Sequence, residues 1–330
     1  MPSLPSRPTA PRPTPLPPVL VAGGINADVL GRTLHAPQLH TSNPAVAGVT
    51  PGGVGRNIAE HLARLLPGRS VRLLGAVGRD VLGVSVLDAT ARAGVNVDGV
   101  LHLPGETGLY LAVLDDTGEL HVGLAAMALT DTLTPDVTAP WRTGVPGADL
   151  LVLDANLPPG TVLALLDAAR AAGVRAVIEP VSAPKAARLA AALAGDWHGV
   201  HLVKPDRQEL AALTGEQDPD RAARTLLGWG ARHVLLTLGA HGSVLYGPDG
   251  EVVRTPCTPG NVRDVTGAGD ALVAGVCAAL TRGWPVRDAV RLGHACAALT
   301  VASAQTVPDT LTWDAALHAL PHGDPHPHGT

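Results

Sequence analysis

Short apolar runs that end in glycine or a polar residue alternate with longer amphipathic segments along most of the chain. The run VLVAGG at 19–24 precedes a glycine turn and an amphipathic segment at 52–68, and ADLLVLDAN at 148–156 precedes another helical pattern. Such runs are typical of buried parallel strands, each of which needs a crossover helix before the next strand. The alternation predicts an α/β fold: a doubly wound, mostly parallel sheet sandwiched by helices.

Two stretches break this alternation with strand–turn–strand patterns. TGLYLAVLDDTGELHVGLA at 107–125 predicts a β-hairpin around an Asp-Asp-Thr-Gly turn, and GSVLYGPDGEVVRT at 242–255 predicts a second hairpin. We expect segments at about 27–50 and 96–127 to form a small β-sheet lid, with the second segment an antiparallel insert at one edge of the large sheet.

Composition limits the core and the partners. Of the 330 residues, 46% are hydrophobic but only 2% are aromatic and none is Phe, so Leu, Val and Ala must fill the core. The net charge of −5 argues against a nucleic-acid surface, and no apolar run is long enough to cross a membrane. The three cysteines lack paired spacing, which favours buried thiols in a reducing cytoplasm over disulfides or a zinc site.

Both ends of the chain differ in composition from the rest. Residues 1–18 contain eight prolines and lack the apolar centre of a secretion signal, and residues 319–330 contain three histidines. We expect both ends to be disordered tails around a single domain at 19–318.

The stretch DVTGAGDALVAG at 264–275 places small residues at the start of an apolar helix. If the helix begins near Gly267, its first N–H groups have no partners within it and carry the positive end of the helix dipole. Gly267, Ala268 and Gly269 would let an anion approach the backbone. Asp270 would repel a stored anion, but it fits a base that takes a proton from a hydroxyl attacking phosphorus. The pattern predicts phosphoryl transfer to an alcohol.

A simpler interpretation is that Asp270 only caps the helix and the glycines only form a turn. We favour catalysis because the element falls late in a doubly wound pattern and a second glycine turn lies at 52–57. Other phosphate-binding designs do not fit. The two lysines, Lys185 and Lys204, do not follow a glycine, so there is no Walker A loop, and no glycine run has the dinucleotide spacing.

The stretches DVTGAGD and GGVGRNIAEHLA resemble the C-terminal and N-terminal signatures of the ribokinase (PfkB) family of sugar and nucleoside kinases. The resemblance covers about residues 19–310. It implies ATP and Mg²⁺, a small-molecule sugar or nucleoside substrate, and a β-lid that closes over it. Lids of this family often pair, so the analogy also implies a homodimer through the lid.

The resemblance implies roles for individual residues. Asp270 would be the base, and the N–H groups of Gly267, Ala268 and Gly269 would hold the γ-phosphate. The sugar hydroxyls would be bound by Asn26, Asp28, Gly53 and Asn57. The nucleotide side would consist of Asp206, Glu209 as the Mg²⁺ ligand, Thr237, Gly239 and His294, with Asp264 and Thr266 for a K⁺ ion. Asp206 stands where Asn is usual and could simply cap its helix, and a histidine such as His294 is often a packed core residue.

Within the family, several stretches resemble the pseudouridine kinases, above all SNP at 42–44 and TGLY at 107–110. This implies that Thr107 and Tyr110 are candidates to face the nucleobase and that Asn156 is a candidate to contact the uracil or the ribose. The alternative for Thr107 and Tyr110 is packing, which an alternating strand also requires. Glu179 departs from that group, which usually has Asp there. The alternatives are a kinase of the same fold for another nucleoside, ribose, fructose or ketodeoxygluconate, and a non-enzymatic nucleoside-binding regulator.

Overall fold

A computed structural model describes residues 16–258 and 260–321 of the chain. The strands are β1 (Val19–Ala22), β2 (Asn26–Thr33), β3 (Ala45–Gly52), β4 (Val71–Leu74), β5 (Ala76–Gly78), β6 (Leu101–Leu103), β7 (Gly108–Leu114), β8 (Leu120–Ala126), β9 (Leu150–Asp154), β10 (Arg175–Glu179), β11 (Val200–Val203), β12 (Val234–Thr237), β13 (Ser243–Tyr246) and β14 (Val252–Thr255). The helices are α1 (Val54–Leu65), α2 (Val81–Arg92), α3 (Ala128–Asp131), α4 (Ala139–Arg142), α5 (Pro159–Ala172), α6 (Ala183–Leu193), α7 (Arg207–Thr214), α8 (Pro219–Gly228), α9 (Ala268–Thr281), α10 (Val286–Val301) and α11 (Trp313–His318).

The large sheet has the strand order β14-β13-β12-β11-β10-β9-β1-β4. The strands from β12 to β4 are parallel, whereas β13 and β14 run antiparallel at one edge. From β1 the chain winds to β4 on one side and later to β9 on the other, so the winding reverses between β1 and β9. This arrangement confirms the predicted fold class and places a ligand crevice at that reversal.

Alternate residues of each central strand face two different helical layers. Val19 and Val21 of β1 belong to a core cluster with α1, α9 and α10, whereas Leu20 and Ala22 belong to a cluster with α5, α6, α7 and α8. Because the strands are covered on both faces, they are apolar throughout, and each fully buried Leu or Val contributes roughly 1.5–3 kcal/mol. The cores contain Leu, Val, Ala and a few larger side chains, as the composition predicted.

Two glycines allow α9 and α10 to pack at close range. A Cβ atom on Gly275 of α9 would lie 2.8 Å from the Cα atom of Gly293 on α10. Both helices are largely buried, with Cys277 and Cys296 inside; the third cysteine, Cys257, is only half-buried. The contact fixes α9 against the body of the protein, and with it the position of the α9 N-terminus.

The small sheet has the order β3-β2-β7-β8. The hairpin predicted at 107–125 is confirmed as β7 and β8, and the hairpin predicted at 242–255 as β13 and β14. The segment at 96–127 is not wholly antiparallel, however, because β7 pairs in parallel with β2. Part of that segment, β6, instead joins β5 in a separate two-stranded parallel sheet.

The chain bends at Gly75, which divides the apolar run at 71–78 into two strands, β4 and β5. A Cβ atom on Gly75 would lie 2.6 Å from Cδ1 of Ile25 and 2.8 Å from the Gly23 carbonyl oxygen. Only glycine fits this approach, and the bend carries β5 out of the large sheet.

The predicted tails fall mainly on residues 1–15 and 322–330, outside the described residues. Within the described part of the chain, no helix combines the length and the apolar character needed to span a bilayer.

Candidate active site

Polar side chains collect at the carboxyl ends of neighbouring strands, at the crevice where the winding reverses. Asp154 ends β9, Glu179 ends β10 and Lys204 follows β11, with exposed fractions of only 1%, 4% and 7%. Asp154 accepts a hydrogen bond of 2.9 Å from the Gly24 N–H beyond β1, and Lys204 Nζ lies 2.8 Å from Glu179 Oε2. Buried charges of this kind need partners, and here the partners come from adjacent strands.

Helix α9 points its N-terminus at this crevice. Gly267 is the N-cap residue in the left-handed region (φ 79°), and within the described residues no side chain caps the helix. A Cβ atom on Gly267 would lie 2.6 Å from the Thr306 carbonyl oxygen, so glycine is required there. The Ala268 N–H donates at 3.3 Å to the Val265 carbonyl, which leaves the following N–H groups of the first turn for an anion.

Asp270 lies in the first turn of α9 and is partly exposed. Its Oδ2 atom accepts a hydrogen bond of 2.8 Å from the Asn57 side chain on α1. Burial raises the pKa of Asp270 to about 6, although the Asn57 hydrogen bond and the charges of Lys204 and Arg56 act in the opposite direction. A carboxylate with a raised pKa is a stronger base that is still ionised at neutral pH, as a general base requires.

Lys204 lies beside the α9 N-terminus, although its sequence context gave it no role. Its Nζ atom is 3.3 Å from the position of a Cβ atom on Gly269. Burial lowers the pKa of Lys204, but the carboxylates of Glu179, Glu209 and Asp270 outweigh burial, and the net change is upward. The ammonium group therefore stays charged next to the free N–H groups. The one sequence signal for a role of Lys204 in the site was its position directly after an apolar strand.

Glu179 is the direct partner of Lys204. Burial raises the pKa of Glu179 to about 8, and the nearby carboxylates of Glu209 and Asp270 also raise it, whereas Lys204 lowers it. One ammonium group thus faces three carboxyl groups. The Glu that stands where Asp is usual in pseudouridine kinases keeps a carboxyl group at this position.

Asp206 and Glu209 form a capping box at the start of α7. Asp206 Oδ1 accepts the Glu209 N–H at 2.8 Å, and Glu209 Oε2 accepts the Asp206 N–H at 2.9 Å. The helix-capping alternative for Asp206 is therefore the observed one. Across residues 16–258 and 260–321, no group of three or more His, Cys, Asp or Glu side chains could hold a cation. Mg²⁺ commonly binds one or two carboxylates together with substrate phosphates, so Glu209 still fits that role.

The residues predicted to bind sugar hydroxyls come together around the start of α1. Asn26 Nδ2 donates to Asp28 Oδ1 at 2.5 Å on β2. Gly53 is the α1 N-cap residue with φ 103°, and a Cβ atom there would lie 2.3 Å from the Gly24 carbonyl oxygen. Asn57, one turn into α1, reaches Asp270. Amide and carboxylate groups thus border the candidate base.

Asn156 forms another wall of the crevice, just after β9. Its Cβ atom lies 3.2 Å from the position of a Cβ atom on Gly24, and its Oδ1 atom accepts a 2.5 Å hydrogen bond from Lys185 on α6. Lys185 is half-buried, and burial lowers its pKa. The local sequence predicts no role for Lys185, because nothing in its pattern shows that α6 brings it to Asn156.

The two residues predicted to face the nucleobase, Tyr110 and Thr107, lie in different surroundings. Tyr110 pairs with Asp28 across β7 and β2, so both side chains lie on the same face of the small sheet. Thr107 is buried, and its hydroxyl accepts from the Gly78 N–H at 2.9 Å and donates to Asp80 Oδ1 at 2.7 Å. This corrects the prediction for Thr107: its hydroxyl is used to attach β7 to the start of α2.

The remaining predicted nucleotide residues are Thr237 at the end of β12, Gly239 just after it and His294 on α10. Thr237 Oγ1 donates to the Pro205 carbonyl at 3.3 Å, and Gly239 adopts φ 57° with open space where a Cβ atom would be. His294 is buried and shares a 2.7 Å hydrogen bond with the Ser243 hydroxyl. Burial lowers the pKa of His294 to about 4, so it is neutral, as in the packed-core alternative.

The predicted K⁺ residues, Asp264 and Thr266, are exposed in the loop before α9. Asp264 Oδ1 accepts the Thr266 N–H at 2.8 Å.

Known proteins resemble this chain over most of its length. Residues 18–313 match the family described as pfkB family carbohydrate kinase. The pseudouridine kinase of Escherichia coli (strain K12) is 34% identical over 294 residues, covering 87% of this chain and 91% of that protein.

The chain belongs to the pfkB family of carbohydrate kinases.

Two solved structures share its fold. A carbohydrate kinase from Agrobacterium tumefaciens has a TM-score of 0.79 and 33% identity, covering 92% of this chain and 97% of that one. The Arabidopsis thaliana ribokinase complexed with ribose and ATP has a TM-score of 0.82 at 23% identity, covering 93% of this chain and 100% of that one. The family resemblance is confirmed, and this pfkB kinase is an ATP-dependent phosphotransferase with an alcohol acceptor.

We expect kcat/KM of this pfkB kinase for its alcohol acceptor to fall as the pH drops through about 6, because protonation removes the base Asp270, whose pKa burial raises to about 6. Activity is lost below this pH and not above it, since the ionised carboxylate is the active form. Initial rates measured from pH 5 to 8 at saturating ATP would check this; a flat profile down to pH 5 would contradict it.

Proposed function

We propose that this kinase transfers the γ-phosphoryl group of ATP to the 5′-hydroxyl of pseudouridine, giving pseudouridine 5′-phosphate and ADP. The observation that carries the proposal is the placement of Asp270, bonded to Asn57 at 2.8 Å, at a helix N-terminus next to a buried lysine. The similarity to a pseudouridine kinase over 87% of the chain supports the choice of acceptor.

In the proposed mechanism, Asp270 takes the proton and the other groups stabilise the negative charge. Asp270 accepts the proton of the acceptor hydroxyl as the hydroxyl oxygen bonds to phosphorus, and the bond from phosphorus to the ADP oxygen breaks. The free N–H groups after Ala268 and the ammonium of Lys204 stabilise the negative charge of the group in transfer. These donors are held in place before the reaction, so little reorganisation is needed.

We also propose Mg²⁺ as the metal that accompanies ATP. Glu209 would hold it, directly or through water, and the ion would supply charge neutralisation on the phosphates. K⁺ binding by Asp264 and Thr266 stays a prediction; an increase in kcat when choline chloride is replaced by potassium chloride would support it.

The choice of pseudouridine as the acceptor is supported by the side of the crevice that Asn156 and Lys185 form. The Asn156 amide and the Lys185 ammonium supply hydrogen-bond donors, which suit the two carbonyl oxygens of a uracil ring better than a bare sugar. Asn26 and Asp28 on the small sheet suit ribose hydroxyls, and Tyr110 shares their face of that sheet.

A coupled assay of ADP release would test the acceptor across pseudouridine, uridine, adenosine, ribose, fructose and ketodeoxygluconate. We expect the highest kcat/KM with pseudouridine. A clear preference for a free sugar would overturn the assignment within the same reaction class. Binding of a nucleoside without turnover of any acceptor would favour the regulator alternative.

Replacing Lys185 with methionine should lower kcat/KM for pseudouridine about tenfold, because one hydrogen-bond donor to the uracil ring is lost. Turnover of ribose should change little, because ribose has no such ring. Arg188→Met is the matched control: Arg188 is exposed on the same helix, and the change removes an equal charge. Equal losses of kcat/KM for pseudouridine and for ribose would show that Lys185 does not bind the nucleobase.

We further propose a cytoplasmic homodimer that pairs through the small sheet. Val29, Val49, Leu111 and Leu124 are in register on one face, opposite to the face of Asp28, and Val49 and Leu124 are exposed. Light scattering should give twice the chain mass for the wild type and the chain mass for Val49→Glu. A monomeric wild type at micromolar concentration would contradict the proposal.

A further inference from the structure

Arg56, in the first turns of α1, is buried beneath the candidate base with 2% of its surface exposed. Its guanidinium donates to Glu60 Oε2 at 2.5 Å and also to the Asn57 side-chain oxygen. Glu60 accepts a second guanidinium, that of Arg64, at 2.8 Å. Glu60 therefore binds two arginines, and Arg64 has a second carboxylate partner, Asp309, at 2.7 Å.

The hydrogen bond from Arg56 decides which way the Asn57 amide points. An amide has one oxygen that only accepts and one nitrogen that only donates. Because Arg56 can only donate, the Asn57 oxygen must face it, and the Asn57 nitrogen is then directed at Asp270 Oδ2, 2.8 Å away. A reversed amide would place two acceptors in contact at Asp270 and two donors in contact at Arg56.

We propose that Arg56 is a positioning residue for phosphoryl transfer: it orients the Asn57 amide toward Asp270, and its charge faces the Asp270 carboxylate. This inference rests on the proposed role of Asp270 as the base. In this role Arg56 touches neither the acceptor nor the phosphates and acts through Asn57.

The charges around the two groups agree with this role. Arg56 faces the carboxylates of Glu60, Asp28 and Asp270, and burial lowers the pKa of the adjacent His61 to about 3, so His61 adds no charge. The groups that face Asp270 are Asn57, Lys204, Asp154, Glu179 and Arg56, and of these the two cations favour its ionised form. Loss of Arg56 would remove one of them.

The test compares Arg56→Met with Arg64→Met. Both changes remove an arginine that binds Glu60, but only Arg56 contacts Asn57. We expect Arg56→Met to lower kcat roughly 10- to 100-fold and to move the acid limb of kcat/KM upward by about one pH unit. Arg64→Met should leave the acid limb where it is in the wild type. Arg56→Lys, which keeps the charge but has one ammonium for two partners, should restore the acid limb more fully than kcat.

Two further measurements keep the outcome decisive. If Arg56→Met does not fold because Glu60 loses one of its two arginines, the double variant Arg56→Met/Glu60→Met removes both charges, and its kcat and acid limb are compared with the wild type in the same way. An NMR titration of the Asp270 side-chain carboxyl carbon needs no acceptor, so it should show the upward shift even if the acceptor proposed above is wrong. An unmoved titration and acid limb, or equal losses of kcat in Arg56→Met and Arg64→Met, would overturn the proposal.

Discussion

Asp270→Asn is expected to lower kcat on the order of 10³-fold, with nucleoside binding retained. The change removes the base but little else, because an asparagine has the same shape and its side-chain oxygen can still accept the 2.8 Å hydrogen bond from Asn57. The measurement is steady-state ADP release, combined with a thermal-shift titration by the acceptor to show that the site still binds.

Asp288→Asn is the matched control for this experiment. Asp288 occupies the first turn of the next helix, α10, as Asp270 does in α9, but it lies outside the crevice. We expect its kcat to stay within about twofold of the wild type, as for most surface changes. A comparable loss of kcat in both variants would mean that Asp270 acts only by stabilising the start of its helix. An Asp270→Asn enzyme that keeps a tenth of its kcat would contradict the role of Asp270 as the base.

Lys204→Met should lower kcat roughly 10²- to 10³-fold, because it removes a fixed positive charge beside the α9 N-terminus. The free energy of binding ATP should change much less than the activation free energy if the lysine acts on the charge that develops during transfer. Single-turnover rates at saturating ATP, with the dissociation constant for ATP measured separately, would distinguish the two effects.

Breaking the buried pair with Glu179 is a concern for folding, since it commonly costs about 3–5 kcal/mol. Glu179 reduces this cost, because burial raises its pKa to about 8 and the carboxyl can take up a proton when the lysine is absent. The double variant Lys204→Met/Glu179→Gln removes both charges and should recover thermal stability but not activity. Recovery of activity in the double variant would show that Lys204 matters only as the partner of Glu179.

Much of the fold could be predicted from the sequence because its signals are local. The apolar run of β1, the two hairpins and the small residues before Asp270 each show their structure within about twenty consecutive positions. The break at Gly75 could not be predicted in this way, since it depends on contact with Ile25, fifty positions earlier. The parallel pairing of β2 with β7 likewise joins segments about eighty positions apart.

The residues of the candidate site also divide into those with a local sequence motif and those whose position depends on contacts between distant segments. The glycine turn before α9 is a continuous motif, and it led directly to Asp270. Lys204 and Lys185 have no motif of their own, because their roles arise from contacts with Gly269 and Asn156 on other elements. Thr107 shows the reverse case: its pattern fits a contact with the base, but a buried hydroxyl needs partners, and Asp80 lies within reach.

The groups proposed to surround the acceptor are divided between the small sheet and the body around the large sheet. Asn26 and Asp28 extend from β2 of the small one, whereas Asn57, Asp270 and Lys204 belong to the body formed around the large one. In the proposed site, the small sheet contributes only to recognition of the alcohol, whereas the body supplies the groups for the phosphate together with Asn156 and Lys185 for the nucleobase. Substitutions on the small sheet are therefore expected to change which alcohol is accepted and to leave the groups that handle the phosphate intact.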